Sequence, residues 1–94
     1  MAFMEKRLTC QVTGRVQMVM FRDFVTREAR ALGIKGTVKN NPDGTVSIIA
    51  EGDEVVLHAF LELIGKGPLL ARVDKVRGDW AEPLGCYKNF DILY

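Results

Sequence analysis

The residue that most invites a chemical reading is Arg22. It follows Phe21 at the start of a segment with helical apolar spacing, directly after a loop that begins at Gly14. A helix start presents unpaired backbone N–H groups and the positive end of the helix dipole, which together make a natural anion site. A guanidinium there adds a planar fork that grips two phosphate oxygens at once. On spacing alone, an ordinary surface arginine competes with this reading. The charge nearby is concentrated: between Arg15 and Lys39 lie six cations and two anions, a local +4 in a chain whose total is +1. For Arg27 and Arg30 a solvated helix face is the better account.

Other residue types with chemical potential are weaker candidates. His58 lies inside an apolar helical stretch with no second ligand at metal-binding spacing, so it reads as a surface or partly packed histidine. Cys10 and Cys86 stand 76 positions apart with no CxxC spacing and read as reduced thiols. Gly65-Lys66-Gly67 has no preceding strand and no following Ser or Thr, and reads as a helix stop rather than a nucleotide loop.

The elements that must position Arg22 follow from periodicity. Lys6–Thr13 alternates, with Leu8, Cys10 and Val12 on one face, and predicts a strand that Gly14 stops. From Met20 the period becomes helical, with Phe21, Phe24, Val25, Ala29 and Leu32 as the buried stripe and Gly33 just past the last turn. Alternation resumes over Ile34–Asn40. Asn40-Asn41-Pro42-Asp43-Gly44 is a turn signal that joins this strand to Thr45–Ala50 as a hairpin. A second helix begins at Gly52-Asp53, carries Val56, Leu57, Phe60, Leu61 and Ile64 on its apolar face, and ends at Gly65–Pro68. Strands are predicted over Val73–Trp80 and Tyr87–Tyr94. The order βαββαβ plus a short C-terminal strand fits an α+β split βαβ plan, an antiparallel sheet with two helices on one face. That plan hosts many activities and decides none.

Composition bounds the rest. With 94 residues, 48% hydrophobic and 27% charged, the chain predicts one folded domain over 1–94 rather than a disordered segment. No apolar run reaches the roughly 20 residues of a membrane span. Met1–Arg7 lacks the apolar core of a signal peptide, which with the two unpaired cysteines predicts a cytoplasmic protein. Balanced charge argues against nucleic-acid or membrane-surface binding. The strand Thr45–Ala50 also carries no aromatic residue on which an RNA base would stack.

Two longer motifs carry a family resemblance. Thr13-Gly14-Arg15-Val16-Gln17-Met18-Val19-Met20-Phe21-Arg22 resembles the first signature of the acylphosphatases, x-G-x-V-Q-G-V-x-F-R. Gly36-Thr37-Val38-Lys39-Asn40, then Asp43-Gly44-Thr45-Val46 and Gly52, resembles their second. The motifs stand in the family's order, and the resemblance covers nearly the whole chain. It implies a ferredoxin-like fold and hydrolysis of acyl phosphates to a carboxylate and inorganic phosphate, without metal or other cofactor, by a monomer. By motif match, Arg22 would hold the phosphoryl group together with backbone N–H groups of Arg15, Val16, Gln17, Met18 and Val19. Asn40 would position the attacking water.

Two positions depart from the pattern. Met18 replaces a loop glycine and Thr37 an aromatic residue. If the loop needs positive φ, methionine costs about 1–2 kcal/mol there. A second reading therefore stands beside the enzyme: an anion- or partner-binding module on the same scaffold, its turnover reduced or lost through Met18.

Overall fold

The computed structural model describes residues 4–94; the part of the signal-peptide reading that concerns residues 1–3 lies outside them. The elements run β1 (Glu5–Arg15), α1 (Phe21–Ala31), β2 (Lys35–Asn40), β3 (Val46–Asp53), α2 (Glu54–Lys66), β4 (Arg72–Ala81) and β5 (Phe90–Leu93). They form a five-stranded sheet in the order β4-β1-β3-β2-β5. β1 and β2 run the same way with antiparallel β3 between them, and β3 and β4 flank β1 likewise, which is the expected split βαβ arrangement.

Alternation explains which face is covered. Leu8, Cys10 and Val12 of β1, Val46, Ile48 and Ala50 of β3, and Val38 of β2 are buried, as every second residue of a half-covered sheet should be. Against them pack Phe21, Val25 and Ala29 of α1 and Leu57, Phe60 and Ile64 of α2. Phe24, Leu32, Val56 and Leu61, predicted in the buried stripes, are only partly buried at the margins of this core.

Three local features differ from the sequence expectation. The sheet is mixed, because β5 pairs parallel with β2 in the register Gly36↔Phe90 to Lys39↔Leu93. The eight residues after Ala81 carry the chain from one edge strand to the other, so β5 returns without a hairpin. The buried Glu51 carboxylate on β3 holds this connection, accepting the N–H groups of Leu84 (2.7 Å) and Gly85 (3.1 Å). Gly14 does not stop β1. The strand continues to Arg15 through a register shift between Thr13 and Gly14. A Cβ on Gly14 would lie 2.1 Å from the Arg72 carbonyl oxygen, so only glycine lets β4 approach there. Finally, β3 runs on to Asp53, and α2 starts at Glu54.

Candidate functional site

The site is built at the end of the sheet where β1 gives way to α1. The connecting loop is short and pinned at three points: Val16, Val19 and Phe21 are buried, while Met18 and Met20 point outward. Both methionines between these anchors lie in the left-handed region, at φ 59° and 60°. Each costs about 1–2 kcal/mol, whereas burying a valine or phenylalanine contributes about 1.5–3 kcal/mol, so the three anchors hold the loop against the strain. The positive φ at Met18 is the backbone geometry that a glycine at this position would supply freely.

A second fastening comes from Gln17. Its side-chain amide donates to the carbonyl oxygens of Asn41 and Thr45, both at 2.9 Å, and ties the loop to the β2–β3 turn. That turn is itself braced: the Asn41 N–H donates to the Thr45 carbonyl (2.8 Å), and its carboxamide donates to the hydroxyls of Thr45 and Ser47. The Thr45 hydroxyl and N–H also hold the Asp43 carboxyl below its usual range.

With the loop fixed in this way, its amides are left free. Among the described residues, the N–H groups of Val16, Gln17, Met18, Val19 and Met20 donate to no protein acceptor. Met20 caps α1 without a side-chain hydrogen bond, so the amides of the first helical turn join the same unpaired set. A cavity of about 560 Å³ opens here, lined by Val16, Met18, Met20, Phe21, Arg22, Asp23, Ile92 and Tyr94. Arg22 supplies its cation. Asp23 is engaged by Arg27 at 3.0 Å, and among the described residues no carboxylate pairs with Arg22. Its guanidinium instead lies over the Tyr94 ring, 5.2 Å from the centroid, which restricts it without neutralising it.

Asn40 ends β2 at the same end of the sheet but does not line this cavity. It shares the helix-covered face with Val38 two residues earlier, as Tyr94 does with Ile92. Since Val38 pairs with Ile92 and Lys39 with Leu93, Tyr94 comes next in line with Asn40. Tyr94 carries the Arg22 guanidinium on its ring, at the same end of the β2–β5 pair as Asn40. The Asn40 Oδ1 is buried and has no hydrogen-bond partner, an unmet acceptor that a polar ligand or water would satisfy.

The other candidates sort plainly. Arg15 closes β1 opposite Arg72 with an exposed side chain and does not line the cavity. Gln17 acts through its side chain as a fastening, a role the sequence reading did not assign. Tyr94 was missed as well; no local signal marks it, because its place depends on the parallel β2–β5 pairing. His58 is exposed and packs on Trp80, ring centroids 4.8 Å apart, away from the cavity. Cys10 is buried in the core and Cys86 is exposed, both as free thiols. Burial pushes the Cys10 thiol up to about 12.

Comparison with known proteins adds independent weight. A family model described as Acylphosphatase matches residues 8–92. The acylphosphatase of Archaeoglobus fulgidus is 48% identical over 93% of this chain and 97% of its own length. That of Thermus thermophilus is 44% identical over 92% and 97%. The crystal structure of acylphosphatase from Bacillus subtilis superposes with a TM-score of 0.92 at 37% identity, covering 95% of this chain and 99% of that one. Two motifs, the sheet order and the likeness of sequence along nearly the entire chain therefore agree: the chain belongs to the acylphosphatase family.

Proposed function

We propose that the protein hydrolyses acyl phosphates by seating the phosphoryl group on Arg22 and the amides of the β1–α1 loop while Asn40 aims a water at phosphorus. The observation that carries this reading is the convergence of three unmet polar demands at one sheet end. They are an unpaired guanidinium, a run of free loop amides, and the buried, partnerless Oδ1 of Asn40. The first two suit a tetrahedral oxyanion, and the third suits a water donor.

The chemistry asks little more. Water oxygen attacks phosphorus, the bond from phosphorus to the acyl oxygen breaks, and the carboxylate leaves with that electron pair. A phosphoryl oxygen of the substrate takes the water's proton. Because the leaving group is a stable anion, the reaction is limited by placement and by charge on the equatorial oxygens, which fixed donors stabilise. Arg22 would grip two of those oxygens, and its stack on Tyr94 would keep the fork oriented. The same reading takes the protein as a single-domain, cytoplasmic monomer. Its cytoplasmic part is supported by two free thiols and its single-domain part by one core shared by both helices and the sheet.

The test is hydrolysis of benzoyl phosphate by the purified chain in the presence of a chelator. Arg22→Ala should lower kcat/KM by about 10²–10³-fold and weaken inhibition by phosphate, the usual loss when one oxyanion donor is removed. Asn40→Ala should lower kcat with little change in phosphate affinity. Wild-type rates in either variant would remove that residue from the mechanism.

A further inference from the structure

Exposed apolar side chains scattered singly need no explanation, but a contiguous group beside a binding site does. Here several gather at the loop end of the molecule. Met18 is 99% exposed and Met20 70%, and both line the cavity that holds Arg22. Tyr94, 95% exposed, faces them across that cavity, with Ile92 behind it. The exposed Leu69 and Leu70 lie just beyond, in the loop between α2 and β4. Arg15↔Arg72 pairing brings that loop beside the start of the phosphate cradle, and Gly67 sits against the Phe21 ring.

The methionines have no structural reason to be there. Their side chains pack on nothing in the core, and both backbones are in a region where methionine is strained and glycine or asparagine is not. Large apolar side chains that are unfavourable both to the backbone and to water indicate a contact the free protein does not make. Met18 and Met20 are also flexible and polarizable, suited to groups of varied shape.

We propose that this rim is the subsite for the acyl group, so that the enzyme selects acyl phosphates whose acyl portion is large and apolar. The proposal rests on the assignment of the phosphoryl group to the Arg22 cradle. With phosphorus held by the loop amides, the acyl portion must project outward past Met18, Met20 and Tyr94, where an extended hydrocarbon displaces water and a methyl group does not reach. Among the residues lining the cavity Arg22 is the one cation, and Asp23 is paired with Arg27, so a charged acyl group finds no second free charge there to pair with.

The test compares octanoyl phosphate with acetyl phosphate, which share the same leaving chemistry. The wild-type chain should favour octanoyl phosphate by about tenfold in kcat/KM, mainly through KM, a contrast within the range of apolar pocket contacts. The double variant Met18→Asn/Met20→Asn tolerates the left-handed backbone and removes the apolar rim. It should bring the ratio of the two substrates down by about tenfold. Affinities for octylphosphonate and methylphosphonate, measured by calorimetry, should show the same contrast without turnover. A wild-type ratio near one, or a ratio the double variant leaves unchanged, overturns the proposal while leaving the cradle intact. Undiminished hydrolysis of both substrates by Arg22→Ala marks instead the failure of the cradle assignment, and the proposal falls with it.

Discussion

Replacing Met18 by glycine should stabilise the protein, against the usual direction for a glycine substitution. Met18 holds φ 59° and its side chain is almost wholly in water, so the change gives up no buried area. Relief of the left-handed strain contributes about 1–2 kcal/mol. Glycine's greater freedom in the unfolded chain takes back about 0.4–1 kcal/mol. At mid-range values the net gain is about 0.8 kcal/mol, which in a domain of this size raises Tm by about 3–6 °C. Thermal unfolding followed by circular dichroism, with urea titration as a second measure, reads the effect directly. Met18→Ala is the control: it also removes the long side chain but keeps a Cβ on the strained backbone, so its Tm should stay near the wild-type value. If glycine proves no more stable than alanine, the loop does not hold methionine under strain and the reasoning fails.

Gln17→Ala removes both hydrogen bonds between the loop and the β2–β3 turn, and should cost about 1–2 kcal/mol in a denaturant titration while lowering kcat/KM for benzoyl phosphate. At pH 8 a thiol reagent should modify one cysteine, Cys86, in the native protein and two in denaturant, because Cys10 is buried with its thiol pushed up to about 12. The folded-state value lies above the ordinary 9.0, so the stabilisation is complete below pH 9 and is lost as pH rises toward 12. Cys10→Ala should therefore lose that part of the alkaline decline.

Much of the molecule was readable from local pattern. Alternation in Leu8-Thr9-Cys10-Gln11-Val12 and helical spacing from Phe21 to Leu32 report burial directly, because each element hides one face. The turn at Asn41–Gly44 declares itself through residue types that accept turn geometry. Asn40 entered only through the motif resemblance, since nothing in its local spacing marks it; Arg22 was legible as a candidate because it sits where a helix begins, next to Phe21. Gly14 was misread for the opposite reason. In sequence a glycine after a strand looks like a stop, and only the close approach of Arg72 shows that the strand runs on through a bulge.

The sequence by itself determined the element order and the apolar faces, which follow from spacing along the chain, and it put Arg22 at a helix start. Only the tertiary structure decided that β5 joins β2 in parallel, that Tyr94 thereby meets the Arg22 guanidinium, and that Gln17 ties the loop to a turn 24 residues away. These contacts link residues far apart in the chain and depend on how the sheet closes, and no local periodicity encodes a partner that only packing brings near.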